Sequence, residues 1–166
     1  MARIGIVGHR YFCDQSVVAF ISQQCFGLLE QFKALDPALT TISAIAEGAD
    51  TIFAEAALKL DLPLEIVLPF RDYVSDFPTE DARERYRRLR AAACTEKILP
   101  YATRSDEAYE AAMNWVIMQA DLLIAVWDGL PSGGTGGTGY AVQQAIELNQ
   151  PWIHLNTRNQ FVIYHW

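Results

Sequence analysis

Asp121-Leu122-Leu123-Ile124-Ala125-Val126-Trp127, followed by Asp128-Gly129-Leu130-Pro131-Ser132-Gly133-Gly134-Thr135-Gly136-Gly137-Thr138-Gly139, is the stretch on which the fold turns. Five consecutive aliphatic residues closed by a Trp read as a strand buried on both faces, the pattern of a parallel sheet covered by helices. Behind it lie Gly129, Gly133, Gly134, Gly136 and Gly137, five of the chain's ten glycines, and then a helical pattern from about Gly139 to Leu148. Buried strand, Gly-rich turn and helix, in that order, make one βα unit.

The same alternation extends both ways along the chain. Arg3–Val7 reads as a first strand stopped by Gly8, with a helix from about Asp14 to Leu35 capped by Asp14 or Ser16. Thr41–Ala46 is the second strand, broken at Gly48, with an Ala- and Leu-rich helix running to about Leu60. Pro63 opens a third strand, Leu64–Leu68, ended by Pro69. Phe70–Phe77 reads as a loop whose Tyr73, Asp76 and Phe77 are placed to wall a pocket. A charged helix from about Thr79 to Cys94, a short strand Lys97–Leu99 and a helix Ser105–Gln119 lead into the Asp121 strand. Trp152–Leu155 is a further strand, and the aromatic tail Phe161–Trp166 suits a sheet edge or a subunit contact. With no linker, repeat or low-complexity tract, the expected fold is α/β. It is a Rossmann-like three-layer α/β/α domain over residues 1–166 with a mainly parallel sheet of five to seven strands.

Composition narrows the function classes. Apolar residues make up 51% and charged residues 20% of the 166, as in globular proteins, and 13 basic against 20 acidic residues leave a net charge of −7. That balance disfavours general nucleic-acid binding, which needs a basic face to displace counterions. Cys13, Cys25 and Cys94 are scattered and form no CxxC pair, so free thiols are expected rather than a disulfide framework or a metal site. The apolar stretch at the amino terminus is too short for a signal peptide, and no run approaches the ~20 residues that span a bilayer. A cytoplasmic location is expected, with no membrane partner.

Three constellations fall at strand ends, where parallel sheets place ligands. In Gly5-Ile6-Val7-Gly8-His9-Arg10, Gly8 permits close backbone approach, His9 suits a ribose or phosphate, and Arg10 offers a planar fork for an anion. A turn glycine before two solvated side chains reads equally well. In Ala46-Glu47-Gly48-Ala49-Asp50, Gly48 opens a helix whose N–H groups suit an anion. Glu47 suits ribose hydroxyls or a general base, and Asp50 a helix first turn, where the dipole favours negative charge. In Asp128 and Gly133-Gly134-Thr135-Gly136-Gly137-Thr138, clustered N–H groups before a helix make a phosphate nest, although no Lys follows as in a Walker A loop. A fourth cluster, Arg83, Arg87 and Arg90 on one helix face, reads as a solvated surface paired with Glu80, Asp81 or Glu84, or with Arg83 or Arg87 reaching a phosphate.

With IGIVGHR, AIAEGAD, LPF with its following DF, and DLLIAVWDG before GGTGGT, the chain resembles the SLOG superfamily from Ile4 to about Ala145. That group includes Smf/DprA-type and lonely-guy proteins. The resemblance implies a nucleotide or nucleotide-derived ligand such as ADP-ribose or an NAD-like molecule. It also implies a role as a sensor in bacterial conflict or stress systems, and a homodimer or larger homo-oligomer. Lonely-guy enzymes split a nucleoside monophosphate and carry PGGxGTxxE. Here Tyr140 or Ala141, according to register, takes the place of that Glu.

Two functions follow as expectations. The first is a ligand-binding module without further cofactor or metal: phosphate in the Gly133–Thr138 loop, ribose near Glu47 and Asp128, and Arg10 as a second anion contact. The second is an N-glycosidase or phosphoribohydrolase in which Glu47 or Asp128 serves as the catalytic carboxylate.

Overall fold

A computed structural model of the protein describes residues 2–132 and 136–166. Its strands are β1 (Arg3–Gly8), β2 (Thr40–Ser43), β3 (Leu64–Phe70), β4 (Thr95–Tyr101), β5 (Leu122–Trp127), β6 (Trp152–Asn156) and β7 (Phe161–His165). Between them run α1 (Gln15–Leu35), α2 (Ala49–Lys59), α3 (Glu80–Ala92), α4 (Asp106–Gln119) and α5 (Thr138–Glu147). All seven strands join one sheet in the order β4-β3-β2-β1-β5-β6-β7, parallel except for the antiparallel edge strand β7.

The sheet is built outward from β1. The chain lays down β2, β3 and β4 on one side, then crosses back through α4 to place β5 on the other. β1 and β5 pair in register from Ile4↔Leu122 to Gly8↔Val126, so the strand order reverses between the two central strands. Leu122 to Val126 are all buried, as the aliphatic run requires, and burying each large side chain stabilises by about 1.5–3 kcal/mol. α1 and α2 cover Ile4, Ile6, Ile124 and Val126 on one face, and α3 continues that layer over Leu64, Ile66 and Leu68. α4 and α5 cover Val7, Leu123, Ala125 and Trp152 on the other, completing the three-layer α/β/α arrangement.

Local chemistry sets the helix starts. Asp14 caps α1, its Oδ1 accepting the Ser16 N–H at 2.8 Å, while Thr79 caps α3 and Ser105 caps α4. No described helix is long and apolar enough to cross a membrane.

Three strands depart from the sequence reading. β2 stops at Ser43 rather than Ala46, because the Ser43 hydroxyl accepts the Ile45 N–H at 2.9 Å and Ile45 turns to φ +45°. Ala44 and Ala46 thereby leave the sheet. β3 does not end at Pro69 but runs through it to Phe70, and β4 runs to Tyr101 through Pro100. Proline removes a ladder donor, which a strand tolerates at an edge or a bulge. Both conditions hold: the β3–β4 register shifts between Leu68↔Ile98 and Phe70↔Tyr101, and the β2–β3 pairing has already ended at Ser43↔Ile66. The expected loop after β3 contains a 3-10 turn, Tyr73–Asp76.

Candidate functional site

Where the strand order reverses, β1 and β5 stay paired to their carboxyl ends and His9 extends the link between them. Its backbone N–H donates to Val126 O at 3.1 Å, and its ring Nε2 accepts the Asp128 N–H at 3.1 Å. Ring Nδ1 lies 3.4 Å from the Thr138 hydroxyl in the first turn of α5. Asp128 Oδ1 is 3.4 Å from the same ring and accepts the Leu130 N–H at 3.0 Å. Burial, the largest single influence on Asp128, raises its pKa; Leu130 N–H and His9 together outweigh it and leave the carboxyl below its ordinary range.

Beside this bridge lies a cleft floored by the ends of β1 and β2 and walled by α4. Ile6, Val7 and Gly8 line it with Ala44 and Ala46, the residues released by the early end of β2, and Ala112, Met113 and Val116 form the α4 wall. It is small, about 90 Å³. Its polar groups are Arg10, Asp50, Tyr73, Tyr109 and Thr138. The Arg10 guanidinium lies over the Tyr109 ring, 4.7 Å from its centroid, a cation–π contact. Burial works to lower its pKa, but the nearby Tyr73, Tyr109, Asp50 and Asp76 outweigh that and leave it raised, so the group is charged. Among the described residues, no carboxylate forms an ion pair with it.

Asp50, in the first turn of α2, is 7% exposed and accepts the Ala46 N–H on Oδ2 at 3.3 Å. Burial pushes its carboxyl up to about 7, against the opposing pull of that N–H and of Arg10. The Tyr109 hydroxyl donates to Asp76, which also meets Arg104 at 3.6 Å. Burial chiefly, and Asp76 next, push the Tyr109 phenol up to about 12.

The helix N-termini around the cleft differ in availability. At α2 the Ala49 N–H already donates to His9 O at 3.1 Å. At α5 the cap is Gly137, with no side-chain hydrogen bond, preceded by Gly136 at φ +88°. The glycines have packing duties as well. A Cβ on Gly8 would stand 2.5 Å from Ala49 Cβ and 2.8 Å from Val126 Cβ. At Gly48, φ is +95° and a Cβ would stand 2.3 Å from Arg10 O, so the turns after β1 and β2 interlock.

Of the residues singled out from sequence, Gly8, Arg10, Gly136 and Thr138 come together in the cleft. His9 and Asp128 line a neighbouring, wider hollow of about 640 Å³ with Tyr11 and Arg158. Glu47 is half-buried and does not line the cleft. Gly133, Gly134 and Thr135 lie outside the described residues. Arg83 and Arg87 pair with Glu80 at 3.3 and 2.8 Å on the exposed side of α3, and neither lines the cleft. Of the trio after β3, Tyr73 lines the cleft, Asp76 anchors Tyr109, and Phe77 is buried against Tyr73 and Tyr86.

Sequence reasoning gave Asp50 only a helix first-turn role and passed over Tyr109, and both carried a signal for the cleft. Asp50, Phe53, Ala54 and Ala57 fall at i, i+3, i+4, i+7, so the carboxyl stands on the buried stripe of α2. Tyr109, Ala112, Met113 and Val116 repeat that spacing along the cleft wall. Glu110, the next residue on α4, accepts from the Tyr140 hydroxyl at 3.2 Å, placing an acid from another helix beside the Gly-rich loop.

No protein-family model matches the chain, and no curated protein matches it in sequence. Solved structures do match in fold. DNA processing protein A (DprA) from Streptococcus pneumoniae superposes with TM-score 0.64 and 16% identity, over 92% of this chain and 50% of that one. DNA processing protein A from Helicobacter pylori, studied for its single-stranded DNA binding mode, gives TM-score 0.64 and 18% identity, over 92% and 64%. The protein TM1055 gives TM-score 0.58 and 13% identity, over 92% and 72%. The chain thus spans about half to just under two thirds of the DNA processing protein A chains. The likeness to Smf/DprA-type proteins carried by the sequence motifs recurs as a likeness of fold.

Proposed function

We propose that the protein binds a nucleotide or nucleotide-derived small molecule, with the ligand's phosphate on Arg10 at the end of β1. The observation that carries this is an Arg at the strand-order reversal, charged, laid on the Tyr109 face and in an ion pair with no described carboxylate, Asp50 and Asp76 acting on it only from beyond ion-pair distance. A planar guanidinium held in this way is preorganised for a phosphate. The ten-residue helix α5 adds an N-terminus without a side-chain cap beside the same cleft. The fold shared with DNA processing protein A and TM1055 is compatible with a ligand at the strand ends.

Cleavage of the ligand's N-glycosidic bond is a second reading, favoured by one observation. Asp50 puts a carboxyl with a pKa near 7 in the cleft, in the range where a side chain both gives and takes protons. Glu47 and Asp128, the carboxylates expected to serve, do not line it.

A thermal-shift series with NAD, ADP-ribose, cyclic ADP-ribose, AMP, ATP and cyclic dinucleotides, followed by chromatography of each mixture, tests both. A ligand that raises the melting temperature and is recovered intact supports binding; base and ribose phosphate in the eluate support cleavage. Arg10→Gln is expected to weaken the stabilising ligand by about tenfold or more, the loss of a charge-assisted hydrogen bond. Equal affinity in that variant would sink the assignment of Arg10.

A further inference from the structure

Arg10 and Asp50 share one small cleft and do not pair. Opposite charges in a weakly solvated site attract strongly, and an unpaired charge there is costly. Each is instead held by its own support: Arg10 by the Tyr109 face, Asp50 by the Ala46 N–H on Oδ2. The backbone fixes the separation, since Arg10 O abuts Gly48 and Asp50 lies two residues beyond it. Small residues, Gly8, Ala44 and Ala46, line the same cleft.

The geometry points to the sugar–phosphate end of the ligand as the part that enters this cleft, with Asp50 accepting hydrogen bonds from its vicinal ring hydroxyls while Arg10 holds the phosphate. This rests on the nucleotide reading above and adds to it a polarity and a specificity-determining residue. Two features favour a phosphoribosyl group over a base. The Tyr109 face that would stack a base is occupied by Arg10. A carboxyl facing a guanidinium matches a molecule that is anionic at one end and a hydroxyl donor at the other, which a base alone is not.

Isothermal titration calorimetry of the full chain with ribose 5-phosphate, 2-deoxyribose 5-phosphate and inorganic phosphate decides the matter. The wild type is expected to bind ribose 5-phosphate at least about tenfold more tightly than either of the others, because a site built to bond a hydroxyl rejects the analogue that lacks it. Asp50→Asn is expected to bring ribose 5-phosphate down to the affinity of phosphate. Equal wild-type affinity for the two sugars overturns the inference, and so does an Asp50→Asn variant that still prefers ribose. If the variant does not fold, the comparison of the two sugars on the wild type decides alone. A wild type that binds a whole nucleotide but no sugar phosphate overturns this inference and leaves the nucleotide reading standing. One that binds neither overturns both.

Discussion

Gly48 shows how much one missing side chain holds in place. Its φ of +95° is left-handed, and the atom an added Cβ would strike is a backbone oxygen, Arg10 O at 2.3 Å, which cannot swing aside. Gly48→Ala is therefore expected to cost at least about 2 kcal/mol, through backbone strain and displacement of the Arg10 turn. Gly8→Ala, against Ala49 and Val126 side chains, is expected to cost about 1–3 kcal/mol. Urea unfolding measures both, and a midpoint unchanged in either variant would contradict the packing described. Asp50 makes a prediction of a different kind. Its folded-state pKa of about 7 stands above the ordinary 3.8, so between these values the folded chain holds a proton that the unfolded chain releases. Its contribution to stability is full below about pH 4 and is lost as pH rises through 7. Asp50→Asn should show a smaller fall in urea midpoint across that window than the wild type; parallel curves would mean that Asp50 ionises alike in both states. From sequence Asp50 is given the helix first turn in which it stands, and its burial goes unread because Asp there has an ordinary explanation in the dipole. Only its place on the apolar stripe with Phe53, Ala54 and Ala57 separates the two roles.

Among the elements, the βα units were legible because hydrophobic period and caps agreed. Asp14 accepts an N–H from the first turn it was expected to cap, Thr79 and Ser105 cap the helices whose starts they were expected to mark, and Leu122–Val126 are buried to a residue. The strand ends were less legible. Ile45 is β-branched and apolar, so periodicity extends β2 through it, yet the Ser43 hydroxyl bends the chain away. Pro69 ordinarily stops a strand, but here it sits at a bulge beyond the end of β2, a fact of pairing that no local pattern carries. That early end of β2 is what opens the cleft. α3 offers a test at this scale. Thr79→Ala removes the bond to the Ala82 N–H and is expected to cost about 1 kcal/mol. Arg87→Ala, which removes an exposed pair with Glu80, is expected to change stability by less than about 0.5 kcal/mol. A larger loss for Arg87→Ala than for Thr79→Ala, by thermal or urea unfolding, would reverse that ranking.

At the scale of the whole molecule, the sheet is shared with a DNA processing protein studied for single-stranded DNA binding, while the charge is not what such binding needs. The net charge is −7, and each Arg of α3 is already held in an ion pair: Arg83 and Arg87 with Glu80, Arg85 and Arg88 with Glu55, Arg90 with Glu96. Fluorescence anisotropy with a labelled oligo-dT is expected to show no binding up to about 100 μM protein at ~0.15 M salt, where even non-specific binders reach a Kd of 10⁻⁴–10⁻⁶ M. Saturation below that concentration would mean that acidic residues are displaced from α3 on contact. The contact of Gly48 with Arg10 O has a practical reach as well. Anyone grafting a new binding specificity onto this scaffold cannot exchange the segment after β1 or the one after β2 alone, because each is moulded on the other's main chain. Residues 8–10 and 44–50 would have to be transplanted together, as a single cassette.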